Sequence, residues 1–490
     1  MRNLIVVDTV KEWPFQARDV EIVDARTYLS QPEAGKTGRV RLFNLCRSYK
    51  YQSIGYYVTL LATARGHRPI PDLMTLQDLK SQTMLRSFSD ELDELIQQTL
   101  RLIRSREYTL SVYFGHNLAA RYERLSTHLF DLFPAPLVRA TFVRPNGKWM
   151  LRTIHPIPVG DIPTQHQRFV LKQARQYFSH RRAGLPKKIP TKYDMAILVD
   201  PQEKEPPSNP LAIERIERAA HKAGFGTEII TREDFSRLAE FDALFIRETT
   251  QVNHHTYRFA RHATTEGLVV IDDPESILTC GNKVYLAELL TRKKIRIPRT
   301  LVVDRNNIDE VEARLGFPCI LKLPDAAFSL GVVKVDDAVK MKEKVDEFLD
   351  RSALVVAQEF LPTGFDWRVG ILDGKPLFAC KYHMATGHWQ IIKRDKAGRR
   401  ECGLVENVPL NEAPVAVIRT ARQAAKLIGD GFYGVDLKQV DGKVYVIEIN
   451  DNPNVDAGNE DRILKDRLYD QIMGVFLDRI ERKKTEFDRR

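Results

Sequence analysis

Residues 446–454, Val446-Ile447-Glu448-Ile449-Asn450-Asp451-Asn452-Pro453-Asn454, form an apolar segment that ends in carboxylate and amide side chains. An apolar segment at 443–450 is separated from another at 433–440 by Asp441-Gly442. Asp-Gly between two such segments is a strong β-hairpin signal. The sequence therefore predicts an antiparallel hairpin whose second strand carries Glu448 and Asn450.

The register of this hairpin decides which side chains meet. The apolar pattern assigns to one face Val435, Leu437, Tyr445, Ile447 and Ile449. The other face then carries Asp436, Lys438, Glu448 and Asn450. A turn of two residues would separate Asp436 from Glu448, because a slip of one residue moves every side chain to the opposite face. We therefore predict a bulged, three-residue loop with Gly442 in the left-handed region.

Two carboxylates and one amide on a single face indicate a site for a hard cation. Mg²⁺ and Mn²⁺ prefer oxygen ligands and are usually held by one or two carboxylates together with nucleotide phosphates. The metal ligands predicted here are Asp436, Glu448 and Asn450. The alternative is an ordinary polar face of a strand that is exposed to solvent.

The composition is that of a globular protein with several domains. The chain has 490 residues, of which 43% are apolar, enough for packed cores. Its 75 basic and 65 acidic residues give a net charge of +10, which does not require nucleic acid as a partner and leaves anionic ligands or acidic partners open. The cysteines lack the spacing of a disulfide framework or zinc site: Cys46, Cys280, Cys319, Cys380 and Cys402.

No segment has the apolar length of a signal peptide or of a membrane-spanning helix, so we expect a cytoplasmic protein. Over residues 1–185 the pattern predicts strands that alternate with helices, and it predicts one strand over 142–154. A basic segment rich in proline and glycine, typical of a linker, follows at 181–192. Residues 193–279 predict a small parallel sheet. Residues 280–490 mix helices with paired strands, and the final helix is predicted over 461–484 with one buried face.

Two lysines precede these carboxylates in the chain. Lys322 lies on a predicted strand, and the small residues of the following loop, 324–331, offer backbone N–H groups that can fold over phosphates. Lys283 lies at the start of a predicted helix, where N–H groups and a cation can together bind an anion. A surface lysine at a helix start is an equally ordinary interpretation of Lys283.

The order and chemistry of these features resemble the ATP-grasp superfamily over about residues 193–490, with the RimK-like ligases as the nearest branch. Residues 1–185 resemble the RLAN domain that accompanies some of those ligases. The resemblance implies a small pre-ATP-grasp domain at 193–279 and a two-lobed ATP-grasp domain at 280–490. It also implies nucleotide-binding roles, with phosphate contacts from Lys283, Lys322, Ser329 and Gly331. The backbone of Gln358, Glu359, Phe360 and Leu361 would hold adenine, and Asp366 would contact the ribose or another part of the nucleotide.

The chain departs from the RimK pattern at two places. Ala326 and Ser329 stand where the phosphate loop often has glycine, and the Arg-x-Asn element is not evident in residues 387–395. The second difference suggests a substrate other than that of the ribosomal-protein ligase.

The resemblance implies an ATP- and Mg²⁺-dependent ligase in which a carboxylate becomes an acyl phosphate and an amine then attacks it. We predict substrate or intermediate contacts from Arg368, Lys381 and Asn452. The expected substrate is an amino acid, a short peptide or a protein tail, and self-association is expected. Two alternatives are a phosphotransferase and a nucleotide-gated binding module in which the RLAN-like region docks a partner.

Overall fold

The structure is a computed structural model that describes residues 2–15, 20–30, 40–79, 92–179, 191–325, 331–394 and 400–488. The chain divides into two compact units, Met1–Ile189 and Pro190–Arg490. Within the described ranges, no helix has the length and apolar character needed to cross a membrane. The cysteines described as free and buried are Cys46, Cys280, Cys319 and Cys380.

The first unit contains one parallel and one antiparallel sheet. The parallel sheet has the order β2-β1-β3-β4, with β1 (Arg2–Val7), β2 (Val20–Asp24), β3 (Val40–Asn44) and β4 (Arg68–Ile70). The antiparallel sheet has the order β5-β6-β7, with β5 (Glu107–Tyr113), β6 (Leu137–Val143) and β7 (Met150–Pro156). The helices are α1 (Ala25–Ser30), α2 (Ile54–Ala64), α3 (Leu73–Asp78), α4 (Asp93–Leu100), α5 (Glu123–Leu132) and α6 (Thr164–Ser179).

The prediction of a single strand over residues 142–154 is wrong. This segment holds the end of β6, a short turn at Pro145–Gly147 and the start of β7. Proline presets the backbone for a turn, and Gly147 has a φ of 83°, a value that side-chain-bearing residues rarely adopt. The chain therefore reverses within the apolar stretch.

The second unit begins with the predicted small parallel sheet. Its order is β11-β10-β8-β9, with β8 (Tyr193–Leu198), β9 (Phe225–Ile230), β10 (Ala243–Ile246) and β11 (Val269–Ile271). The helices that accompany these strands are α7 (Pro210–Lys222), α8 (His255–Thr265) and α9 (Pro274–Cys280). The prediction of parallel strands joined by helices is confirmed here.

Two antiparallel sheets follow, one of four strands and one of five, and they match the two lobes that the sequence predicted. One has the order β12-β15-β13-β14, with β12 (Thr300–Val303), β13 (Cys319–Lys322), β14 (Val332–Val335) and β15 (Val355–Glu359). The strands β18 (Ile392–Arg394) and β19 (Arg400–Cys402) form a separate pair, and in the sequence they lie between strands of the second antiparallel sheet. That sheet has the order β20-β17-β16-β21-β22, with β16 (Phe365–Leu372), β17 (Lys375–His383), β20 (Val405–Val408), β21 (Phe432–Val440) and β22 (Lys443–Asp451).

The helices of these lobes are α10 (Lys283–Arg292), α11 (Glu310–Leu315), α12 (Ala338–Leu349), α13 (Val415–Ala425) and α14 (Asp466–Asp488). The last helix begins at Asp466, later than predicted, because Lys465 has a left-handed φ of 51° that interrupts the helical path. Its predicted apolar face is buried and shares a core with the small parallel sheet through Leu468, Ile472, Phe476 and Ile480.

Candidate active site

The hairpin β21–β22 has a two-residue turn, so the prediction of a three-residue loop is wrong. Asp441 and Gly442 have φ values of 49° and 73°, and Val440 pairs directly with Lys443. The extra residue lies inside the strand instead. Asp436 pairs with Glu448 and Leu437 with Val446, which leaves Ile447 as a β-bulge.

This bulge reverses the alternation of side chains along β22. The buried residues before it are Val444 and Val446, so the assignment of Tyr445 and Ile447 to the core is also wrong. Glu448 still faces Asp436 across the ladder, and Asn450 Nδ2 donates to Asp436 Oδ2 at 3.2 Å. The structure thus brings the three predicted metal ligands together, by a different distortion of the hairpin.

Two cations balance the two carboxylates. Arg368 on β16 donates from Nε and Nη2 to the two oxygens of Asp436, both at 2.7 Å. Lys283 Nζ lies 2.7 Å from Glu448 Oε1. Lys283 is the first residue of α10, whose N-cap Asn282 accepts hydrogen bonds from two backbone N–H groups of the first turn. The helix start therefore holds Lys283 beside the acidic face.

Lys322 lies on the neighbouring sheet and is buried. Its Nζ donates to Gln358 Oε1 at 2.9 Å, and Gln358 Nε2 donates to Thr300 Oγ1 at 2.9 Å. Burial lowers the pKa of Lys322 to about 8, although the negative charge of Glu448 opposes this shift. A lysine with such a pKa changes its charge close to neutral pH.

The two carboxylates differ in their proton affinity. Burial raises the pKa of Asp436, and the Arg368 guanidinium only partly offsets this. Burial acts in the same direction on Glu448, but Lys283 and Lys322 outweigh it and lower the pKa of this carboxyl. Glu448 is therefore the carboxylate that two lysines keep ionised.

The residues predicted to hold the nucleotide base lie at the end of β15. The Glu359 carboxylate accepts from Arg299 N at 2.8 Å and from Arg299 Nε at 2.6 Å. The Phe360 ring lies edge-on to Trp389, with centroids 6.0 Å apart, and Leu361 is half-buried. Of the predicted phosphate loop, Ser329 lies outside the described residues. Gly331 has a φ of 71°, and its carbonyl accepts from Leu323 N.

Asp366, the predicted ribose contact, lies on the same face of the five-stranded sheet as Arg368. A lysine side chain lies beside it. Lys438 Nζ donates to Asp366 Oδ1 at 2.5 Å and to Thr363 Oγ1 at 2.6 Å. The two strands β16 and β21 thus present alternating charges on one face of the sheet.

Lys381 does not join this group. It pairs with Trp367, one residue away from Arg368, so its side chain lies on the opposite face of the sheet. There its Nζ donates to Glu406 Oε1 at 2.7 Å. The neighbouring residue, Tyr382, lies on the Arg368 face instead, with the guanidinium 5.0 Å from its ring centroid. The two residues are adjacent, and nothing in the local sequence indicates which of them faces Arg368.

Asn452 follows β22 in a left-handed conformation, with a φ of 49°, and is buried. Its Oδ1 accepts from Arg247 Nη1 at 2.5 Å, and its Nδ2 donates to the Glu248 carbonyl at 2.6 Å. Its backbone N–H donates to Asp272 Oδ2 at 2.8 Å. The amide oxygen and nitrogen of Asn452 thus both hold the end of β22 against the small parallel sheet. The predicted contact between Asn452 and a reaction intermediate stays a prediction.

Two family models match the chain. The RimK-like ATP-grasp N-terminal domain matches residues 25–173, and the ATP-grasp domain matches residues 280–454. The chain contains an ATP-grasp domain. The second match contains the two lysines, the segment predicted to hold adenine and the acidic face described above, and the first identifies an RLAN domain in the N-terminal unit.

Similar proteins include ones named as ligases. A probable alpha-L-glutamate ligase of Psychromonas ingrahamii is 28% identical over 224 residues, which are 45% of this chain and 71% of that protein. One of Shewanella loihica is 25% identical over 250 residues, 50% of this chain and 78% of that protein. The solved D-alanine–D-alanine ligase of Bacillus anthracis superposes with a TM-score of 0.46 and 16% identity, over 60% of this chain and 99% of that one.

Proposed function

We propose that this protein is an ATP-dependent carboxylate–amine ligase that adds an α-amino acid to a carboxylate-bearing substrate. The observation that carries the proposal is the partly buried group in which Lys283 and Lys322 adjoin the Asp436–Glu448 pair. Glutamate is the first amine to test, since similar proteins are named as probable glutamate ligases. Self-association, a cytoplasmic location and a protein tail as substrate stay predictions.

The lysines suit the phosphates of ATP. Phosphoryl transfer depends on positioning and on neutralising the charge of the phosphoryl oxygens, and needs little covalent help from the protein. Lys322 is fixed by Gln358 and Lys283 by the start of α10, so both charges are oriented in advance. The end of β15, with Glu359 and Phe360, is the proposed site for the adenine base.

The donor set on the acidic face fits Mg²⁺ or Mn²⁺. It offers two carboxylates and one amide, all with oxygen donors, and a carboxylate has about four lone-pair sites. Asp436 can therefore keep Arg368 while an ion is held by Asp436, Glu448 and Asn450. When bound, the ion would neutralise the negative charge of the phosphate oxygens.

Arg368 is the residue of this chain best suited to the acyl phosphate. Two of its five N–H donors bind Asp436, which orients the planar guanidinium and leaves the others for an anion. In the proposed reaction a carboxylate oxygen attacks the γ-phosphorus and ADP leaves. The amine nitrogen then attacks the acyl carbon, phosphate leaves, and phosphate or water takes the proton. No side chain is assigned as a base.

The proposal is tested by an ADP-release screen of the full-length protein against amino acids and peptides, with products identified by mass spectrometry. The carboxylate substrate is labelled with ¹⁸O. We expect ADP, phosphate and amide in equal amounts, with one ¹⁸O transferred to phosphate, because the amine displaces phosphate by breaking the bond between the acyl carbon and the bridging oxygen. A stable phosphorylated product would instead identify a phosphotransferase, and bound ATP without turnover would identify a binding module.

Replacing Lys322 with methionine should weaken ATP binding and remove part of its pH dependence. In the wild-type protein Lys322 is protonated below its pKa of about 8, so the Kd for ATP should rise as the pH increases from 7.5 to 9. A charged hydrogen bond contributes about 1.5–3 kcal/mol, so the Kd of Lys322→Met at pH 7 should be roughly 10- to 100-fold higher. Calorimetric titration with a non-hydrolysable ATP analogue measures both effects.

Lys340→Met is the matched control, because Lys340 is an exposed lysine on α12. Its Kd should follow the wild-type pH profile. An unchanged pH profile in Lys322→Met would show that another group titrates, and would contradict the role proposed for Lys322.

A further inference from the structure

A second group of possible ligands lies where the small parallel sheet ends. Glu248 follows β10, His254 is the N-cap of α8, and His255 is its first residue. One ligand atom from each of the three lies within 4.8 Å of the others. His255 Nε2 lies 2.6 Å from Glu248 Oε1, and His254 Nε2 lies 4.0 Å from the same oxygen. Two imidazoles and one carboxylate therefore converge on a small volume.

The Glu248 carboxylate is buried, with its side chain 3% exposed. Among the described residues its Oε2 has no hydrogen-bond partner, and His255 Nε2 has none of acceptable geometry despite its closeness to Oε1. An unpaired, buried carboxylate oxygen is costly and rare in proteins. A cation bound by Glu248 and by the neutral imidazole of His255 would give both atoms a partner.

The electrostatic surroundings favour a cation. The carboxylates of Asp200 and Glu203 are close enough to act on His254 or Glu248, and Arg258 is the opposing positive group near His254. Glu203 is held by Thr249, whose backbone N–H donates to its carboxylate at 3.2 Å. Three carboxylates thus stand against two guanidinium groups, that of Arg258 and that of Arg232, on which Asp200 and Glu248 also act.

We propose that Glu248, His254 and His255 bind one divalent transition-metal ion of the Zn²⁺ class. Imidazole nitrogen with carboxylate oxygen is a ligand set that suits Zn²⁺, whereas Mg²⁺ prefers oxygen alone. Three protein ligands leave a fourth position for water or a substrate group, and His254, with 38% of its side chain exposed, gives that position access to solvent. This site differs in chemistry and in residues from the Asp436–Glu448 face.

The proposed site is linked to the end of β22. The Glu248 carbonyl accepts the hydrogen bond from Asn452 Nδ2, and Thr250 Oγ1 donates to Asp451 Oδ2 at 2.6 Å. An ion bound at Glu248 would therefore make residues 248–250, which contact the end of β22, more rigid. The proposal does not depend on the ligase activity, because metal binding is measured directly.

The test uses the full-length protein after treatment with EDTA, titrated with Co²⁺ and then with Zn²⁺ as competitor. Co²⁺ bound by histidine has visible absorption bands that report its ligands. We expect one equivalent of Co²⁺, displaced by Zn²⁺. His254→Ala and His255→Ala should each weaken binding by at least about 100-fold, since even the loss of an outer-shell partner costs 10- to 100-fold.

Two controls separate this site from others. His128→Ala removes an exposed histidine on α5 and should bind Co²⁺ as the wild type does. Glu448→Gln alters the proposed Mg²⁺ site and should also keep the Co²⁺ bands. His254 is partly exposed, so His254→Ala decides the question even if His255→Ala fails to fold. Absence of Co²⁺ bands in the wild type, bands that persist in His254→Ala, or their loss in Glu448→Gln would each overturn the proposal.

Discussion

Replacing Glu448 with glutamine should lower kcat/KM for amide formation by about 10²- to 10³-fold, because metal-ion charge stabilisation supplies several kcal/mol in phosphoryl transfer. The substitution keeps the shape of the side chain and removes the charge that faces Asp436 and pairs with Lys283. It also leaves Lys283 and Lys322 without the carboxylate that acts on both. Steady-state kinetics over a range of Mg²⁺ concentrations measures the effect, and excess Mg²⁺ should restore only part of the rate.

Glu347→Gln is the control for this variant. Glu347 is an exposed glutamate on α12 whose partner, Lys344, is also on the surface, so the substitution should leave the kinetics unchanged. Glu347→Gln should also melt with the wild type. If Glu448→Gln retained the wild-type rate and the same Mg²⁺ dependence, the assignment of the acidic face as the metal site would be wrong.

The sequence predicted this acidic face because its signals are local. Asp441-Gly442 marks the hairpin, and Glu448 and Asn450 are polar residues spaced by two in an apolar strand. The position of the β-bulge at Ile447, by contrast, is not determined by the neighbouring sequence. Val444 and Val446 are as apolar as Tyr445 and Ile447, so either pair could face the core. Packing beneath α13, among residues such as Val417 and Ala421, is what buries the valines.

The same reason explains Lys381. Along β17 a basic residue and an aromatic residue are adjacent, and one of them must face the acidic side. The strand register places Tyr382 there, and nothing in the local sequence fixes that register. Arg247 and Asp272 were also missed as partners of Asn452, because they lie at the ends of strands that are distant in sequence. Contacts of this kind follow from topology, whereas the sequence alone indicates only which residues are chemically suitable.

Replacing Arg247 with methionine should destabilise the second unit by about 3–5 kcal/mol. Arg247 is buried and donates to Asn452 Oδ1, to Ser208 Oγ and to two backbone carbonyls, those of Pro207 and Pro453. Each buried acceptor left without a donor costs about 1–3 kcal/mol. Burial lowers the pKa of Arg247 to about 10, with Asp456 and Asp272 opposing, so the side chain is charged at neutral pH. Its loss also leaves those carboxylates less compensated.

Calorimetry and hydrogen–deuterium exchange together measure this effect. The melting transition of the second unit should fall by roughly 5–10 °C, given about 2 °C for each kcal/mol in a unit of this size. Exchange should accelerate in β10 and β22, which Arg247 connects, and stay unchanged in the first unit. Arg305→Met is the matched control, since Arg305 forms an exposed ion pair with Asp350 and should contribute less than about 1 kcal/mol. If Arg247→Met melted at the same temperature as the control, the network around Asn452 would not be what holds the end of β22 in place.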